Sequence, residues 1–186
     1  ICPLPYPTTV GTCLRTAHAN ALLQVDLGSS TGKWLLITGT SVVPSTVTDL
    51  GAGSRLMCYP GKGALRAGVV TGTQWDNANM GFSSIAMGTN TIASGGYSTA
   101  MGSYTTAGGF LSTALGYNTI AGGNFSTAMG YNTKAKGYSS VVAGMYNDSL
   151  LLSNETAVNT TTPLFIMGNG DADNTRSNAL VVQKNG

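Results

Sequence analysis

From Gly81 onward a glycine stands at every seventh position: Gly81, Gly88, Gly95, Gly102, Gly109, Gly116, Gly123, Gly130, Gly137 and Gly144. A seven-residue period usually signals a coiled coil, whose seam requires two bulky apolar residues per heptad. Here the recurring residues are small, and glycine inside a helix costs about 1 kcal/mol each time. Alanine lies two places before eight of the glycines, at Ala86, Ala93, Ala100, Ala107, Ala114, Ala121, Ala128 and Ala135. Two places earlier again stands a hydroxyl, alternately Ser and Thr: Ser84, Thr91, Ser98, Thr105, Ser112, Thr119, Ser126, Thr133 and Ser140. Spacing by two is strand spacing, so hydroxyl, alanine and glycine share one face and the residues between them share the other. The position before glycine alternates as well, Met87, Met101, Leu115 and Met129 taking turns with Ser94, Gly108, Gly122 and Lys136. The period of the structure is therefore fourteen, not seven.

These spacings predict an all-β, parallel solenoid. Each fourteen-residue coil holds two short strands and two tight turns, with glycine taking positive φ at the strand ends. Coils stack at about 4.8 Å, the spacing between strands. Ala, Ser/Thr and one Met or Leu per coil bury too little to offset the ordering entropy of a lone solenoid. A homotrimer about the rod axis is expected to supply the missing burial. Ile85, Met87, Met101, Leu115, Met129 and Val141 are the residues expected to fill the roll or trimer core. Charged residues make up 9% of the 186-residue chain, against about 25% in soluble domains. Such a surface suits burial between identical neighbours. Aromatics crowd the turns (Phe82, Tyr97, Tyr104, Phe110, Tyr117, Phe125, Tyr131, Tyr138, Tyr146), either stacked coil on coil or exposed as a ladder for carbohydrate or protein.

Units such as YSTAMGSYTTAGG and FSTAMGYNTKAKG resemble the head repeats of the YadA-like trimeric autotransporter adhesins. The resemblance covers residues 82–146 and implies a left-handed parallel β-roll in a tight trimer. By the same resemblance the chain is an extracellular, cell-surface adhesin or fibre that binds matrix proteins, glycans or other surfaces along extended faces. No single binding residue carries over. The stretch 51–81 resembles the lead-in to such repeats in large secreted proteins of Bacteroidota. Residues 164–186 are similar to the segment that precedes an endosialidase-type intramolecular chaperone.

Four regions are expected: a β-rich module over 1–50 with strands at 21–27 and 33–39, a lead-in or cap over 51–81, the head repeats over 82–146, and a transition with short β segments over 147–186. Trp75 is expected to cap the first coil, whose open end must be covered. Because the chain opens on Ile1, it is expected to be a piece of a longer protein. Cys2 and Cys13 flank a proline-rich loop and are a candidate disulfide if the protein is secreted; the alternative is that they are small buried residues, and Cys58 is left over either way.

Other chemistry is poorly supported. A formal charge of +2 with no Lys/Arg run argues against a nucleic-acid partner. The longest aliphatic-aromatic run, Trp34 to Ile37, is far short of the ~20 residues that cross a bilayer, so no membrane insertion is expected. GSSTGKW (28–34) has the wrong spacing for a phosphate loop. His18 is the single histidine, with no acid or nucleophile singled out for it. Asp171 and Asp173 begin like a calcium loop, but Val182 stands where the bidentate acid belongs. No cofactor is expected, and no enzymatic activity. Two other uses of a solenoid remain open: a receptor-binding tail fibre of a phage or contractile injection particle, and an ice-binding surface built on threonine.

Overall fold

The computed structural model describes residues 51–149 and 155–185, all within the second of two units into which the chain divides, Thr38–Gly186. The expected strands at 21–27 and 33–39, the Cys2/Cys13 pair, His18 and the 28–34 loop lie outside the described residues.

What is described is nearly all β. Its strands are β1 (Gly53–Tyr59), β2 (Ala64–Val70), β3 (Ile85–Thr89), β4 (Ile92–Ala93), β5 (Thr99–Ser103), β6 (Thr106–Ala107), β7 (Thr113–Tyr117), β8 (Ile120–Ala121), β9 (Thr127–Tyr131), β10 (Lys134–Ala135), β11 (Val141–Met145), β12 (Pro163–Asn169) and β13 (Asn178–Gln183). Within the repeats each coil alternates a five-residue strand with a two-residue strand. The long strands stack in one sheet of order β1-β2-β3-β5-β7-β9-β11-β12-β13, and the short ones in a second, β10-β8-β6-β4. Register repeats without slippage: Ala86 pairs with Ala100, Ala100 with Ala114, Ala114 with Ala128. This is the expected fourteen-residue β-solenoid.

The interior of the roll is narrow because its two sheets approach on alanine. Ala86, Ala100, Ala114 and Ala128 from the long strands, and Ala93, Ala107, Ala121 and Ala135 from the short ones, are all completely buried. The serine and threonine columns beside them are buried as well. Ser84, Ser98 and Ser140 each donate a 2.7 Å hydrogen bond to the glycine carbonyl three residues earlier, which braces the turn from inside. The hydroxyls of Ser112 and Ser126, and those of Thr91, Thr105, Thr119 and Thr133 in the other column, have no hydrogen-bond partner among the described residues. A buried hydroxyl without a partner costs about 1–3 kcal/mol. Thr119→Val keeps the shape and removes that cost, so it should raise the denaturation midpoint by an amount equivalent to about 1 kcal/mol at unchanged cooperativity. A lowered midpoint would show that the hydroxyl column is hydrogen-bonded.

The turns differ from expectation in an informative way. Positive φ is found at every second glycine, Gly88, Gly102, Gly116, Gly130 and Gly144, as expected, and also at the residue two places after each glycine: Ser83, Asn90, Tyr97, Tyr104, Leu111, Asn118, Phe125, Asn132, Ser139 and Tyr146, with φ between 40° and 59°. Stitching between coils holds these bulky residues there. Tyr104 N–H, for example, donates to Thr89 carbonyl at 2.8 Å, and Asn118 N–H to Ser103 carbonyl at 2.8 Å, one coil away. Glycine is needed for another reason. A Cβ on Gly95 would stand 2.0 Å from the Gly109 carbonyl oxygen, and one on Gly102 would stand 2.0 Å from that of Gly116. Successive coils pass backbone against backbone at these columns, and only glycine leaves room. At Gly102 φ is also +118°, whereas at Gly95 it lies outside the positive range.

The solenoid extends beyond the fourteen-residue repeat at both ends. Strand β2 pairs in parallel with β3, Gly68 beside Gly88, across a coil twenty residues long. Strand β12 pairs in parallel with β11, Gly168 beside Gly144, across one of twenty-four residues. Strand pairing therefore continues past Tyr146, although the seven-residue glycine spacing does not. Antiparallel strands β1 and β13 finish the sheet at its two edges.

Larger residues close the interior where alanine stops. Arg66 takes the place paired with Ala86 and is fully buried. Its guanidinium donates to the carbonyls of Leu65 (2.9 Å), Ser84 (2.8 Å) and Ala93 (3.2 Å) and to Ser84 Oγ (2.8 Å). Burial lowers its pKa to about 10, which leaves it charged at neutral pH. Trp75 lies over the same end, nearly completely buried, and its indole N–H donates to the Thr91 carbonyl at 2.9 Å. That is the capping position expected for it. At the other end Val142 and Ile166 fill the interior.

Candidate interaction surface

Because alternate residues of a strand face opposite ways, the alanine-lined interior leaves a second, outer face on the long sheet. Register places Leu56, Ala67, Met87, Met101, Leu115, Met129, Ala143, Met167 and Leu180 in one row across all nine strands. Beside it run Leu65, Ile85, Thr99, Thr113, Thr127, Val141, Phe165 and Val182. Neither row contains a charged side chain. Leu56, Ile85, Met101, Met129, Met167, Leu180 and Val182 are exposed, while Met87, Leu115 and Val141 are half-buried. The six residues proposed from sequence as roll or trimer core thus lie together on this outer face; the inside of the roll holds alanine and hydroxyls instead. At 4.8 Å per strand the face is about 40 Å long. An apolar sheet face of that length is the kind of surface that marks an interface.

Two aromatic ladders flank the coils, one at each turn. Tyr97, Phe110, Phe125 and Tyr138 follow one another with ring centroids 5.5, 5.9 and 5.2 Å apart. Tyr104, Tyr117, Tyr131 and Tyr146 make the second, at 6.0, 5.1 and 5.4 Å. Each ladder switches between the first and second residue after glycine as it climbs. The aromatics therefore stack coil on coil, at distances that contribute to stability beyond simple burial. They also keep an exposed edge: Tyr104 is 50% exposed, and Tyr117 and Tyr131 are nearly as open. The ladders differ chemically, one mixing phenyl with phenol and the other being phenol throughout.

Charge is confined to the ends of the roll. Glu155 accepts hydrogen bonds from Tyr138 N–H (2.7 Å) and the Thr162 hydroxyl (3.0 Å), with Lys184 Nζ 3.7 Å away. This pair ties the 155–162 segment and β13 to the last coils. Arg176 donates to the carbonyls of Asn132 (2.8 Å) and Asn147 (3.1 Å), pairs with Asp173, and lies 5.4 Å over the Tyr146 ring. Asp171 accepts the Thr175 hydroxyl. Each of the two candidate calcium acids is thus engaged by a donor from its own loop. Among the described residues no three His, Cys, Asp or Glu side chains are grouped to hold a metal, and no helix is long and apolar enough to cross a membrane. Sequence reading named Lys136 only for its place before a glycine and passed over Lys134, although the two carry the only charges between Gly81 and Tyr146. Arg176 lies close enough to depress Lys134's pKa, after burial, which is the larger cause.

No curated protein and no protein of known structure matches the chain. Its repeats do match a known family: residues 81–105, 107–133 and 121–146 fit the YadA head domain repeat, a segment that coincides with the stacked fourteen-residue coils.

Proposed function

We propose that this chain is a non-enzymatic, extracellular adhesive rod that works as a homotrimer. The observation that carries the reading is the uncharged outer face of the long sheet, an apolar strip about 40 Å long that the monomer leaves open. Three copies sharing their strips would bury the Met101, Leu115 and Met129 row at a common axis and supply the apolar burial that the alanine interior lacks. The match of the repeats to the YadA head domain repeat supports both the trimer and the adhesive role. Attachment would use the faces left outside the shared strip, since extended sheets offer broad surfaces rather than a pocket.

Light scattering tests the assembly. The expected mass is three times the 18.9 kDa of the chain, and a monodisperse monomer at micromolar concentration would overturn the reading. In the same measurement Leu115→Glu should dissociate the trimer, because it puts one charge per copy into the shared strip without touching the roll interior.

A further inference from the structure

The repeat region is neutral except at one place. Lys134 and Lys136 stand on either side of buried Ala135 in the last short strand, so both project from the outer face of the short sheet. In the preceding coils the equivalent places hold Ile92 and Ser94, Thr106 and Gly108, Ile120 and Gly122. Neither lysine forms an ion pair among the described residues, where the two ion pairs join Arg176 to Asp173 and Lys184 to Glu155. Arg176 anchors this corner to the all-phenol ladder, since it bonds the Asn132 carbonyl beside Tyr131 and covers the Tyr146 ring.

We propose that the corner formed by Lys134, Lys136 and the Tyr117–Tyr131–Tyr146 end of the phenol ladder binds an acidic glycan. The inference rests on the adhesive reading above and names the class of ligand it would take. Unpaired ammonium groups that face outward attract carboxylate or sulfate. Exposed phenol edges recurring every 5.1 to 6.0 Å along the rod suit a polymer that itself repeats. Phenols offer a sugar both apolar ring surface and a hydroxyl. The other ladder has half of the hydroxyls, and the ammonium that lies 5.9 Å over its Tyr138 ring, that of Lys184, is already paired with Glu155. A membrane surface fits less well, because the aliphatic residue paired with Lys134 on that face, Ile120, is half-buried and leaves little to insert. An acidic peptide would use the cations and leave the recurring rings without a role.

The test uses the full chain with heparin and polygalacturonate as probes, dextran as the neutral control and polyglutamate as the acidic non-glycan control. Both acidic polysaccharides should bind, with affinity falling as salt rises. Lys134→Gln/Lys136→Gln should weaken binding about tenfold and flatten the salt dependence. Tyr117→Ala/Tyr131→Ala should weaken it with the salt dependence kept. Undiminished binding by the lysine variant, equal binding of dextran, equal binding of polyglutamate, or no binding of either acidic polysaccharide would each overturn the proposal. Light scattering on the same samples separates the two levels: a trimer that fails to bind refutes the ligand, while a monomer refutes the adhesive trimer itself.

Discussion

Gly102→Ala is expected to abolish the native fold rather than to weaken it. The added Cβ would sit 2.0 Å from the Gly116 carbonyl oxygen, where backbone faces backbone and no flexible side chain can give way. The φ of +118° adds strain of its own, since alanine avoids that region. Relief would require adjacent coils to separate, which breaks the hydrogen bonds that hold them in register. A loss of about 4 kcal/mol or more follows, at the extreme of single substitutions. Gly108→Ala is the control. A Cβ there would meet nothing closer than Ser94 Oγ at 3.8 Å, and the change should stabilise by a few tenths of a kcal/mol through the unfolded chain. Circular dichroism melts of both variants check the contrast; equal stability would mean that the glycine columns are not close contacts.

Arg66→Ala should be the next most damaging change, at about 3 kcal/mol. It removes a plug from the end of the roll, together with donors to two carbonyls and a serine hydroxyl of the first coil. Arg66→Met separates volume from charge. It refills most of the space and abolishes the burial of a cation with no acid beside it, so it should recover much of the loss. Equilibrium denaturation of the three proteins, at one protein concentration, gives the ordering. If Arg66→Ala matches the parent, the first coil is closed by Trp75 alone.

The repeat made the central architecture legible from residues alone. Small side chains two apart exclude a helical seam, and alternation of Met87 with Ser94, or Leu115 with Gly122, sets the coil at fourteen residues. Reading Met101 and Leu115 as a row on one face also followed from spacing. What spacing could not give was which side of the wall they occupy, because that depends on how close the two sheets come. Alanine on both inner faces decides it, leaving no room for a methionine inside. The terminal coils escaped notice for a different reason. Gly68 and Gly168 belong to the glycine column, but loops of other lengths break the period, and Arg66 or Ile166 replaces the alanine that would have announced them. The turn was only half legible: glycine takes positive φ at Gly88, Gly102, Gly116, Gly130 and Gly144 as ordinary preference suggests, but ordinary preference gives no hint of the bulky residues that share that region. Here bonds to the neighbouring coil hold Tyr104 and Leu111 there, and glycine is consumed by a tighter demand nearby. Lys134 and Lys136 were readable as a lone pair of charges, but their meaning required Arg176, which arrives from a part of the chain forty residues away.

The hydrogen bonds that stitch coil to coil run along the rod, so a pull on its two ends loads them directly. Each interface between coils would bear that force as a group, and failure at one interface would pay out a single coil. Fourteen residues, at about 3.3 Å each, replace a coil that spanned about 4.8 Å and lengthen the tether by about 40 Å. On the adhesive reading proposed above, a sudden tug on an attached surface would be absorbed as stepwise lengthening, with the bond to the surface spared and the untouched coils ready to re-form the stack.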